Sequence, residues 1–288
     1  FVWPGYGFDH VFDGHADTDA VYTEAVAPLL ADLWAGHPVC ILMFGQTGSG
    51  KTYTMSGLVA QLGPAVLAQW PAGATVAGLQ VKGDTVEDLL CEQQPPPPVA
   101  IYEAGDGSAT WTGVSWHAVA SAGDLDRLFT AVGARRTTRA TGVHEQSSRG
   151  HMVFMVRAPP GSAGALTLVD LSGSEWARDQ EEHDAMLRAE ARAINASLLV
   201  LKKCLRAVGS GTSAGHTPYR EAALTRVLRD PLLDPHSRLL VLATVSPGCA
   251  GVWEFLCVCV CVCACVCVRA RARACVCVCV CVCVCVCV

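Results

Sequence analysis

Apolar positions follow two different periods along most of this chain. Continuous or alternating apolar runs at Val39 to Phe44 (VCILMF), His151 to Val156 (HMVFMV), Leu166 to Leu171 (LTLVDL) and Arg238 to Val245 (RLLVLATV) predict strands, several of them buried on both faces. A weaker strand is predicted at Gly78 to Val81. Between these runs the spacing turns helical. Val21, Tyr22, Ala25, Val26, Leu29, Leu30 and Leu33 predict a helix over about Thr18 to Trp34. A second helix is predicted to start near Lys51, and a separate pattern runs from Leu58 to Trp70 with little room for a loop between them. Leu125, Leu128, Phe129 and Val132 fall on one helical stripe. Leu187, Ala191, Ile194, Leu198, Leu201, Leu205 and Val208 form a narrow seam on a long helix, Asp184 to Val208, and a short helix is expected from about Arg220 to Asp230. Strands alternating with amphipathic helices from Tyr6 to Leu256 predict an α/β layered domain, with Pro95 to Pro98 as a stiff connector.

The last segment departs from this pattern. Cys257 to Val288 holds 13 of the 17 cysteines and is built almost wholly of Cys-Val and Arg-Ala pairs. Alternating T/G and C/G dinucleotide repeats encode those two pairs. We therefore expect 257–288 to be a low-complexity tail, disordered or artefactual, with thiolate metal binding and a β-aggregating segment as alternatives. Without it, Cys40, Cys91, Cys204 and Cys249 are scattered through the chain, which argues against a disulfide scaffold and for a reducing compartment. Residues 1–256 carry 18 Lys and Arg against 26 Asp and Glu, so a basic nucleic-acid footprint is absent and no nucleic-acid partner is expected. The two apolar halves of the tail are each shorter than the roughly 20 residues of a membrane helix, and no membrane association is expected. Phe rather than Met at position 1 is read as a fragment or a processed end.

The chemistry is concentrated in three segments. Gly45, Gln46, Thr47, Gly48, Ser49, Gly50, Lys51 and Thr52 read GQTGSGKT, a phosphate-binding loop that follows a buried strand and precedes a helix. Glycines let successive backbone N–H groups converge on phosphate oxygens, and the helix N-terminus adds its positive end. Lys51 is expected to reach the β- and γ-phosphates of ATP, and the Thr52 hydroxyl to ligate Mg2+. Asp170, at the end of an apolar strand in DLSGSE, is placed as a carboxylate serving that metal, and Gly173 offers an unobstructed N–H to the γ-phosphate. In QSSRGH, Ser147 and Ser148 offer hydroxyls for a phosphate oxygen, a metal or the attacking water, while Arg149 and Glu175 are positioned to form an ion pair between two loops.

These segments resemble the kinesin motor domain. GQTGSGKTYTM is almost that family's phosphate loop, SSRGH resembles its first switch and DLSGSE its second. GFDHVF, INASLLVL, HTPYREAALTRVLRD and VLATVSP resemble further family segments in the expected order, so the resemblance covers about Tyr6 to Leu256. It implies a P-loop NTPase-type kinesin motor fold within 1–256, a central eight-stranded mixed sheet with helices on both faces. It also implies a microtubule-stimulated ATPase with ATP and Mg2+ at one edge and a cytoplasmic, cytoskeletal location. By the same resemblance Ser148 helps hold the metal and γ-phosphate, Ser147 positions the water, and Arg149 pairs with Glu175. Tyr53 lies beside the adenine, and Tyr219, Arg220 and Arg226 face tubulin. LLVLKKCLRAV and HTPYR resemble most the microtubule-depolymerising branch.

Several positions depart from the family pattern. His144 replaces the first-switch Asn, Gly150 a Ser, and Ala196 and Ala223 stand where Lys is common. DQEEHD (Asp179 to Asp184) adds acid near the expected interface, and only Ser56 and Gly57 remain of the loop between Met55 and Leu58. The family's first strand is expected before Phe1. These departures keep open a second reading, a hydrolysis-deficient nucleotide-binding microtubule adaptor or a decayed kinesin fragment.

Overall fold

The computed structural model describes residues 8–93, 95–103, 109–138, 150–173, 185–209, 217–245 and 275–281. Its centre is a mixed sheet. In chain order the strands are β1 (His10–Phe12), β2 (Pro38–Gly45), β3 (Ala74–Lys82), β4 (Thr85–Asp88), β5 (Ala100–Glu103), β6 (Ala109–Thr112), β7 (His117–Val119), β8 (His151–Arg157), β9 (Ala165–Asp170), β10 (Arg238–Val245) and β11 (Cys275–Cys281). The main sheet runs β1-β11-β10-β2-β9-β8-β3-β4, with β7 paired to β3, and β5 and β6 form a separate hairpin. From β1 to β9 the pairings are parallel, and from β9 to β4 they are antiparallel.

Period-two alternation divides the core between the two faces of this sheet. On β2, Val39, Ile41 and Met43 join one buried cluster while Cys40, Leu42 and Phe44 join the other. On β10, Leu240 and Leu242 face the first cluster, and Leu239, Val241, Ala243 and Val245 the second. The first is covered by α1 (Thr18–Val21), α2 (Leu30–Trp34), α3 (Lys51–Gln69) and α4 (Ala122–Thr138). The second is covered by α5 (Ala185–Gly209), α6 (Ala223–Val227) and α7 (Arg229–Leu233). Helices on both faces of a mixed sheet are thus observed as expected. Cys40, Cys91 and Cys204 are buried free thiols, and among the described residues no helix is long and apolar enough to cross a membrane.

Four expectations need correction. The helix expected from Thr18 to Trp34 keeps its course but changes winding, passing through a π-helical turn at Tyr22–Val26 and a 3-10 turn at Ala27–Leu29. Pro28 lies in the latter and has no N–H to give the α-ladder. The two helices expected between Lys51 and Trp70 are one, α3, because Ser56 and Gly57 continue the helix instead of opening a loop. The short helix expected from Arg220 to Asp230 is a 3-10 turn, Tyr219–Glu221, followed by α6 and α7. The tail, expected as disordered, contributes β11, a parallel strand between β10 and β1. Its dipeptide period is the period of a strand.

Candidate functional site

The glycine-rich loop joins β2 to α3, where the backbone demands its glycines. Gly48 and Gly50 hold φ of 78° and 93°, left-handed values that favour glycine. A Cβ on Gly48 would meet nothing within 4 Å, so the crest of the loop is open. Gly45 is the opposite case: a Cβ there would lie 2.3 Å from Thr244 Oγ1 and 2.4 Å from Ser49 Oγ. That crowding reflects a tie between loop and sheet. Ser49 Oγ donates to the Gln46 carbonyl at 2.7 Å and lies 2.6 Å from the Thr244 hydroxyl of β10. Lys51 is buried, and its Nζ donates to the Gly45 and Gln46 carbonyls at 2.8 and 2.7 Å, folded back over its own loop. Tyr53, one residue past Thr52 in the first turn of α3, is 73% exposed.

Beside the loop, Asp170 ends β9 with 1% of its surface accessible. The Thr52 hydroxyl donates to Asp170 Oδ2 at 2.8 Å, so the last residue of the phosphate-loop motif and the strand-end carboxylate meet as expected. Sequence reasoning missed the third member. Arg136 on α4 pairs with the same Oδ2 at 2.6 Å and donates to the Gly150 carbonyl at 2.9 Å. The signal for it was present, because Arg136 falls one helical step beyond Val132 on an otherwise apolar stripe.

A second polar chain runs from here to α5. The Ser172 N–H donates to His151 Nδ1 at 3.1 Å, which fixes the ring with its proton on Nε2. Nε2 lies 2.8 Å from Ser197 Oγ, and that hydroxyl donates to the Ile194 carbonyl at 2.6 Å. Burial, then the nearby Arg136 charge, pushes the His151 pKa down to about 3, so the imidazole is neutral at ordinary pH. Gly173 is buried just beyond Ser172. Ser147, Ser148, Arg149 and Glu175, together with His144, lie outside the described residues.

On the α5 face, the residues expected at a partner surface separate. Arg220 is exposed and Arg226 half-buried. Tyr219 is not a surface residue: it is 7% exposed within the core, and its hydroxyl donates to Glu103 Oε2 at 3.2 Å. Ala223, which replaces a common Lys, is likewise fully buried.

The site was tested for fit to a nucleoside triphosphate and its divalent cation on its own polar atoms. Asp170 Oδ1 is buried without a hydrogen-bond partner among the described residues, next to the Thr52 hydroxyl, and the loop crest above is open. An orphaned carboxylate oxygen beside a hydroxyl suits a hard cation, which takes oxygen ligands. The residues present therefore fit both groups.

The family model for the kinesin motor domain matches residues 4–258. The chain belongs to the kinesin motor family. It is 32% identical to the kinesin-like protein KIN-13B of Arabidopsis thaliana over 257 residues, which cover 83% of this chain and 37% of that protein. It is 33% identical to diatom spindle kinesin-1 of Cylindrotheca fusiformis over 256 residues, covering 85% and 40%. The chain thus spans about two fifths of the length of these relatives. Identity to KIN-5B of Arabidopsis thaliana is 31%, so these figures single out no branch of the kinesins. Among solved structures, a fast kinesin aligns with TM-score 0.72 and 26% identity over 88% of this chain and 78% of that one. A KIF14 dimer with AMP-PNP in complex with a microtubule aligns with TM-score 0.74 and 26% identity over 91% and 82%.

Proposed function

We propose that this kinesin chain is an ATP-hydrolysing motor core that engages microtubules and belongs to the cytoskeleton. The observation that carries the reading is the bond from Thr52 to Asp170, which joins the phosphate-binding helix to the strand end where a second-switch segment begins. The loop N–H groups from Gly45 to Thr52 and the Lys51 ammonium would take the phosphates, and Tyr53 would lie beside the base. Thr52 and Ser148 would ligate Mg2+, with Asp170 oriented toward it. Mg2+ bound there would neutralise charge on the phosphate oxygens.

Hydrolysis needs water in line with the γ-phosphorus, breaking the bond to the bridging oxygen and releasing ADP and phosphate. Little covalent work falls to the protein, which acts by position and charge. Lys51 exchanges two neutral carbonyl acceptors for charged phosphate oxygens, a stronger set of hydrogen bonds. Gly173 offers its N–H to the γ-phosphate, Ser147 holds the water, and closure of Arg149 on Glu175 couples nucleotide to the loops. Arg220 and Arg226 meet the acidic tubulin surface, while Tyr219, from the core, orients Arg220 by stacking 5.0 Å beneath its guanidinium.

A hydrolysis-deficient adaptor is the second reading, and Gly150 favours it. A side chain there would stand 2.8 Å from Lys82 Cγ, so the backbone has closed into the space where the family carries Ser. Steady-state ATPase with and without polymerised microtubules, beside Lys51→Ala, separates the two. The motor reading expects stimulation that the substitution abolishes. Folded protein that binds ATP but turns over no faster than the variant establishes the adaptor instead.

A further inference from the structure

The exposed cations around the 3-10 turn Tyr219–Glu221 are already engaged by acids of the same chain. Arg220 donates to Glu103 Oε2, although its side chain is 71% exposed and Glu103 comes from a hairpin 117 residues earlier. Arg229 reaches the other oxygen of the same carboxylate at 3.4 Å and Asp230 at 2.9 Å. Lys203 of α5 pairs with Glu221 at 2.8 Å. Tyr219 organises the group, with its hydroxyl on Glu103 and its ring under both guanidinium groups, at 5.0 and 5.6 Å. The hydrogen bond from Arg220, then that from Tyr219, hold the Glu103 carboxyl below the usual carboxylate range, so it is ionised at neutral pH.

We propose that Glu103 is an intramolecular clasp on this surface, standing in the free protein where a carboxylate of an acidic protein partner stands in the complex. The inference rests on the proposed engagement of microtubules, whose surface is acidic. Exposed ion pairs contribute only about 0–1 kcal/mol, so the clasp opens readily. Its charge nevertheless opposes docking in two ways: a partner carboxylate must displace it from Arg220, and while it stays it repels that carboxylate. The clasp sets affinity and its dependence on salt without touching the nucleotide site. Glu103→Gln keeps an oxygen for the Tyr219 hydroxyl and Arg220 while removing the charge, at a half-exposed position where folding is undisturbed.

The test is co-sedimentation of the full chain with polymerised microtubules over a range of salt concentrations, with soluble polyglutamate as a second acidic probe. Wild type, E103Q, Arg220→Ala and the E103Q/R220A double variant are compared, with thermal melting to check that all are folded. E103Q is expected to bind both probes roughly three- to tenfold more tightly at low salt, with the gain shrinking as salt rises. The double variant is expected to match R220A, because without Arg220 the clasp holds nothing that the partner needs. Tighter binding of E103Q to polyglutamate, with none of the proteins binding microtubules, upholds the clasp and overturns the partner. Unchanged or weaker binding of E103Q to both probes overturns the clasp itself, since Glu103 would then be ordering Arg220 for its partner.

Discussion

Arg136 and Asp170 bring two opposite charges into the core at the edge of the phosphate loop. Taking either out of water costs several kcal/mol, offset only when the partner is close and the remaining polar atoms are bonded. The contact at 2.6 Å and the bonds to Thr52 and Gly150 meet most of that condition, leaving Arg136 Nε and Asp170 Oδ1 without partners among the described residues. The arrangement is stable as a pair and fragile when halved. Arg136→Met should lower the free energy of unfolding by about 3–5 kcal/mol, because it strands a buried carboxylate. Adding Asp170→Asn should recover most of that loss, since the neutral amide still accepts from Thr52. Urea denaturation measures both. ATP turnover should stay low in the double variant, because the charge facing the metal is gone. Recovery of stability and turnover together would show that Asp170 serves the fold alone.

At the scale of elements, α3 shows what a shortened connection does. A glycine in a helix interior is about 1 kcal/mol worse than Ala, yet Gly57 sits within α3 and allows it to cross the start of α1. A Cβ at Gly57 would stand 2.7 Å from the Thr18 methyl group. Gly57→Ala should therefore destabilise the protein by about 1–2 kcal/mol despite better helix propensity. Thr18→Ser removes that methyl, and in its presence the Ala substitution should become neutral or stabilising; thermal melting of the four proteins decides it. The same close approach explains why this region read differently from sequence, where Ser56 and Gly57 looked like the remnant of a loop. β2, β8, β9 and β10 were legible to within a residue or so because burial on both faces leaves an unbroken apolar run. β3 was read four residues too late at its start, since Gly78 and Gln80 interrupt its pattern. Gly78 gives room to Val132 of α4, where a Cβ would come within 2.2 Å, and Gln80 is a buried polar residue. In the site, the loop and Asp170 were legible because their chemistry is written in contiguous residues. Thr244 and Ser197 were not, because their partners, Ser49 and His151, lie 195 and 46 residues away.

For the whole molecule, the decisive feature is that the sheet between its two cores is continuous only through the tail. β11 pairs along its full length with β10, from Leu239 opposite Cys275 to Val245 opposite Cys281, and its middle pairs with β1 at His10 to Phe12. Remove it, and β10 becomes an edge with unpaired N–H and C=O groups, while three-residue β1 loses its place in the sheet. The consequence reaches the nucleotide site, because β10 carries Thr244, the hydroxyl that holds Ser49 of the phosphate loop. A chain ending at residue 256 should therefore melt roughly 5–10 °C below the full chain, the shift that a loss of a few kcal/mol produces at this size. Amide exchange should accelerate first along β10 and only then in β2, which keeps β9 on its other side. ATP affinity should fall although every residue of the phosphate loop is intact, because the loop has lost the rigidity of the strand beneath it. A chain ending at 281 retains β11 and should behave as the full protein in all three measurements. Identical melting and identical β10 exchange in the chains ending at 256 and 281 would show that the Cys-Val strand carries none of the sheet's stability, and that β10 is held by β2 and the helices alone.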